Sequence, residues 1–175
     1  MIPQLKMFKI MGVGLLALVL LGAPGAVAQS APRADHAQLY QRAVSLLDKA
    51  QEKLDGNFTA EAKAMAKEAN SLFATLQKET PGEMLSQDLS PQEMEQEALN
   101  RKLAADSYAQ GDQLMQSAQQ KEAQSKALEQ QGREDESVQK LSQAKREYDQ
   151  AHKMYVKSQI YNLRNQQIAY SFLKK

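Results

Sequence analysis

His36 and His152 are the only imidazoles in the 175-residue chain. An imidazole can ligate a metal or haem iron, or act as a general base near neutral pH. Ligation from a helix usually recruits a second ligand one turn away, and neither His-x3-His nor Glu-x-x-His occurs here. A haem or metal held between the two lone histidines, from separate helices, would be the remaining route; solvated surface histidine is the default reading. The chain has no cysteine, which removes thiol catalysis, thiolate metal sites and covalently attached c-type haem. No Gly-x-Ser-x-Gly elbow is present to present a nucleophile. The residues assign no catalytic set, no metal ligands and no cofactor site, so a protein without enzymatic activity is expected.

Aromatic and cationic residues gather instead towards the C-terminus. Tyr148, Tyr155, Tyr161 and Tyr170 fall in one stretch, the first two seven apart and so on one helical face. Tyrosine suits a core edge with a wet hydroxyl, and it is also favoured at protein interfaces. Residues 150–175 carry five basic side chains (Lys153, Lys157, Arg164, Lys174, Lys175) and no acidic one. Residues 79–100 are the reverse, with Glu79, Glu83, Asp88, Glu93, Glu95 and Glu97 and no base. Complementarity to helix dipoles accounts for Glu93, Glu95, Lys174 and Lys175 but not for Lys157 or Arg164. Tyr148, Tyr155, Lys157, Tyr161, Arg164 and Tyr170 are therefore the candidate partner-binding face, suited to an acidic protein patch or an anionic membrane surface.

The elements that would position these residues are helices. Ala, Gln, Glu, Lys and Leu dominate residues 29–175, whereas Val44, Val138, Val156, Ile160 and Ile168 are the only β-branched aliphatics there. Leu39, Ala43, Leu46, Leu47, Ala50 and Leu54 recur at helical spacing and predict a first helix over 35–55, closed by Gly56 as a left-handed cap. A second, capped by Asn57 or Thr59, carries Ala62, Met65, Ala66, Ala69, Leu72, Phe73 and Leu76 and ends before Thr80. The link is so short that the two must fold back on each other. Ser90-Pro91-Gln92-Glu93 reads as a capping box with proline in the first turn, opening a helix over 91–131. Met94, Ala98, Leu99, Leu103, Ala105, Tyr108 and Ala109 are its expected first apolar face, and Gly111 a point of bending or interruption. Leu114, Met115, Ala118, Ala123, Ala127 and Leu128 then form a narrow stripe, suited to a two-helix seam or to a homodimeric coiled coil. After Gly132 a last helix is expected over 134–173, burying Val138, Leu141, Ala144, Tyr148, Ala151, Tyr155, Ile160, Leu163, Ile168 and Phe172. Glu136–Lys140 and Asp149–Lys153 are i,i+4 pairs in the favourable order. The expected fold is all-α, a short antiparallel helical hairpin at 29–79, a loop at 80–90 and a long coiled-coil-like hairpin at 91–175.

Residues 1–28 have the layout of a cleavable secretory signal. Lys6 and Lys9 precede a charge-free apolar run over 10–21, and Ala26-Val27-Ala28 supplies the small residues of a cleavage site. The run is too short to span a bilayer, which takes about 20 apolar residues. No cysteine follows it, so a lipoprotein anchor is not expected, and a periplasmic location is. The signal holds two of the 22 basic residues and none of the 21 acidic ones, leaving 20 against 21. Near-neutral charge argues against nucleic acid as a partner.

Gly56-Asn57-Phe58 followed by Ala62 resembles the entry to the second helix of a tetratricopeptide repeat. Leu128, Gly132, Ala144, Tyr148 and Ala151 resemble that repeat's large, glycine, small, aromatic and small positions. The first hairpin also resembles alanine-rich helix pairs of small exported bacterial proteins with no assigned activity. Each resemblance covers less than half of residues 29–175, and both imply binding or scaffolding. The expected function is that of an exported adaptor, scaffold or assembly factor with a protein partner in the cell envelope; the alternative is a chaperone-like holder of clients.

Overall fold

The computed structural model describes residues 34–80 and 88–174. The signal-like segment, the polar leader after it and the Pro81-Gly82 punctuation lie outside the described residues. Among the described residues there is no strand. The order is α1 (Ala34–Asp55), α2 (Thr59–Glu79), α3 (Pro91–Gln130) and α4 (Glu134–Ala169), with a closing 3-10 turn at Ser171–Lys174. The all-α architecture of a short hairpin followed by a long one is what the periodicity predicts. The last helix is shorter than expected, since the backbone tightens into the 3-10 turn after Tyr170.

Both hairpins close through one device. Asn57 and Gly132 take the left-handed conformation, at φ 65° and 73°. At the first turn the Phe58 N–H reaches back to the Lys53 carbonyl and the Asn57 N–H to that of Leu54; at the second, Arg133 reaches Leu128 and Gly132 reaches Glu129. These are Schellman closures, which satisfy carbonyls that a helix end leaves orphaned. Asn57, not Gly56, carries the positive φ. Nor does Asn57 or Thr59 cap α2, whose first turn is preceded by Phe58 without a side-chain cap. The Asn57 amide oxygen instead accepts from Lys153 Nζ at 2.7 Å.

The capping box forms as read. Glu93 N–H donates to Ser90 Oγ at 3.3 Å, and the Glu93 carboxylate accepts the Ser90 N–H at 2.9 Å. It also accepts from Ser171 Oγ at 3.1 Å, tying the start of α3 to the end of the chain. The Ser90 backbone donor, then the Ser90 and Ser171 hydroxyls, hold the Glu93 carboxyl below its usual range.

The main core joins α1, α2, the C-terminal half of α4 and the 3-10 turn. Tyr40, Ala43, Leu47, Ala50 and Leu54 meet Ala62, Ala66, Ala69, Phe73 and Leu76, and Val156, Ile160, Leu163, Tyr170 and Leu173 close over them. Burying a Leu or Phe side chain contributes about 1.5–3 kcal/mol, so these large residues carry much of the stability. α4 is the hub: α1, α2 and α3 all pack on it.

The long hairpin is built differently. α3 runs unbroken for 40 residues, roughly 60 Å. Its buried positions are Asn100, Ala104, Ser107, Gly111, Ala118 and Ser125. Those of α4 opposite are Ser137, Ala144 and Ala151, followed by Ser158. Residues this small let two helices approach closely. The expected apolar face of α3 is overturned: Met94, Ala98, Leu99, Ala105, Tyr108 and Ala109 are exposed and Leu103 half-buried, because the seam admits only short side chains. Gly111 does not interrupt α3. A Cβ there would stand 2.7 Å from the Tyr155 ring, so the glycine is a notch that receives the ring. Of the 110–131 stripe Ala118 is buried against α4 and Leu114, Met115 and Leu128 are half-buried, whereas Ala123 and Ala127 stay exposed, so the two-helix seam takes up only part of it. Of the α4 residues expected inside, Val138 and Leu141 stay exposed.

Candidate interaction surface

His36 lies in the first turn of α1, buried rather than solvated, with Nε2 3.0 Å from a Glu79 carboxylate oxygen at the end of α2. His152 is exposed on α4 beside the start of α2, whereas His36 sits at the far end of that helix, so the fold does not bring the two together as ligands. Among the described residues no three metal-ligating side chains cluster. His152 instead lines an open cleft of about 670 Å³ between the start of α2 (Asn57, Phe58, Lys63) and α4 (Asp149, Tyr155, Gln159).

The six residues of the sequence-derived face do not share one surface. Tyr148 and Tyr155 lean on α3, their hydroxyls donating to Glu122 and Asp112, both at 2.8 Å. Burial first, then the bond to Asp112, pushes the Tyr155 phenol up to about 12. Tyr108 packs against its ring at 5.5 Å between centroids. Arg164 faces α1 and pairs with Asp48 at 2.8 Å. Tyr170 is 2 % exposed in the core, stacked on Phe73. Lys157 and Tyr161 are half-buried. The stretch winds around α4 while three helices pack on different sides of that hub, so a cluster in sequence becomes a set of separate contacts. The i,i+4 pairs read on α4 are not made either: Glu136 pairs with Arg133 and Lys153 reaches Asn57.

Sequence reasoning missed a different surface. Val138, Leu141, Lys145, Asp149, His152, Val156, Ile160 and Leu163 follow one another at intervals of three or four, which places them along one face of α4. From Val156 onward that face is buried under α1 and α2. Before it, every residue of the series is exposed, Val138 at 65 % and Leu141 at 52 %. The α1–α2 tip stops at Asn57, opposite Lys153. Residues 134–148 and the C-terminal part of α3 thus extend past the bundle as an arm of about 22 Å. The arm is held by its seam: each hydroxyl of Ser125 and Ser137 lies 2.9 Å from the other residue's carbonyl, and Lys121 pairs with Glu147 at 2.7 Å. The missed signal is the 3/4 series from Val138 to Leu163: the expected buried set runs from Leu141 through Ala144, Tyr148, Ala151 and Tyr155 to Ile160, and so merges this face with the one that packs on α3.

No helix among the described residues is long and apolar enough to cross a membrane. In comparisons with protein families, characterised proteins and solved structures, nothing matches this chain.

Proposed function

We propose that the chain is an exported, periplasmic, non-enzymatic helical protein that docks onto protein partners of the cell envelope through its arm, as an adaptor, scaffold or assembly factor. One observation carries this reading: a face that is core along the C-terminal half of α4 continues, uncovered, along the N-terminal half, with Val138 and Leu141 in water. Bare apolar side chains on a rigid, projecting element suit recognition better than they suit isolation. The near-neutral charge of residues 29–175 favours a protein partner over nucleic acid.

A photo-crosslinking amino acid placed at Gln124 or Ser142 on the arm, or at Gln41 or Lys67 on the bundle, tests this in cells. Cross-linked products specific to the arm positions are expected, and mass spectrometry identifies them. Products arising only from the bundle positions would overturn the reading.

A further inference from the structure

We propose that the bare face of α4 is closed by the same face of a second copy of this chain, antiparallel, about a two-fold axis between Gln139 and Lys140. The assignment rests on the reading of the arm as a docking element, and it names the arm's first partner. Two features select this occupant.

The first is fit. The bare stretch is bounded by the α3–α4 turn at Gly132 and by the α1–α2 tip at Asn57. A second arm laid antiparallel over it has the same length by construction. Its turn then abuts the first copy's tip, where Phe58 stands 55 % exposed. Each arm fills the gap the other leaves beyond its own α1–α2 layer.

The second is charge. The axis that sets Val138 against the partner's Leu141 sets Glu134, in the same register, against the partner's Lys145. Both charged side chains are exposed, and neither has an ion-pair partner among the described residues. Elsewhere on the arm Lys121, Glu122, Lys126, Arg133, Glu136 and Glu147 are engaged in ion pairs within the chain, and Glu129, Asp135, Lys140 and Arg146 have none among the described residues. Of the unpaired charges, Glu134 and Lys145 are the two that stand one turn before Val138 and one turn after Leu141, on the bare face itself. A two-fold interface uses every contact twice, so two apolar pairs and two ion pairs form together. With so few large apolar residues the dimer is weak, and the charges set orientation more than affinity.

Analytical ultracentrifugation of the 29–175 chain over a wide concentration series tests this. The wild type is expected to move from monomer to dimer mass as concentration rises. Val138→Asp with Leu141→Asp should hold it monomeric, with unchanged helical circular dichroism because both sites are exposed. Glu134→Lys alone and Lys145→Glu alone each oppose like charges twice, and should weaken the dimer at least about tenfold. An equimolar mixture of these two single variants restores both ion pairs, and should dimerise like the wild type. A wild type that stays monomeric at every concentration overturns the proposal and leaves the face to another protein. So does a dimer indifferent to these substitutions, or a mixture no stronger than its components. In each of these cases, arm-specific cross-links to envelope proteins would still stand as a separate result for the docking reading.

Discussion

Two hairpins that turn alike pack on opposite principles. α1 and α2 alternate Leu, Phe and Tyr with Ala, so their seam is thick, and the large residues reach a third helix. α3 and the first half of α4 meet through Ala, Ser and Gly, and their seam is satisfied by two helices alone. The thick seam makes a core that holds the molecule together. The thin one makes a rod that can leave the bundle. Stability is concentrated at one end and presentation at the other.

The difference is open to direct attack. Phe73→Ala removes a ring that is 1 % exposed and stacked on Tyr170, and is expected to cost about 3–5 kcal/mol in urea unfolding. No single truncation in the arm should approach that. Native-state hydrogen exchange should show arm amides opening at lower free energy than those of α1 and α2.

Gly111→Ala sharpens the contrast, since it would ordinarily stabilise a helix by about 1 kcal/mol. Here the new methyl meets the Tyr155 ring, and overpacking of about 1–3 kcal/mol is expected to win by a small margin. In a Tyr155→Ala background the same change should turn stabilising; if its sign does not reverse, the ring is not what the glycine accommodates. Ser125→Ala is expected to cost about 1 kcal/mol, because Ser137 Oγ loses one of its two close neighbours. Replacing both serines with Ala should cost less than the two single losses added together.

The smallest effect is in alkali. The folded chain holds the Tyr155 proton after an unfolded tyrosine has released its own, so the associated stability is intact below pH 10. It should fade as pH rises towards about 12. Tyr40, Tyr148 and Tyr170 are also pushed up, so spectrophotometric titration of tyrosinate should show several late phenols, one fewer in Tyr155→Phe.

Much of the fold is legible in local chemistry. The Ser90-Pro91-Glu93 start, the two hairpin turns and the apolar stripes of α1 and α2 follow from capping, chain reversal and a 3.6-residue period. The interaction surface is less legible. Gly111 reads as a breaker until Tyr155 is seen in its place, and Tyr170 reads as an interface residue until Phe73 is seen against it.

By itself the amino-acid sequence determined the four α-helices of the described residues, the cysteine-free all-α class and the order of the hairpins, because propensity, capping and periodicity act within a few residues. Only the tertiary structure decided which stripes are core. Burial on α3 went to Asn100, Ala104, Ser107 and Gly111 rather than to Met94, Leu99 and Tyr108, because close approach of two helices favours small side chains over hydrophobic ones. The tertiary structure also decided that α1 and α2 reach along half of α4 and no further. One continuous stripe thereby became a core at Val156, Ile160 and Leu163, and an open face at Val138 and Leu141.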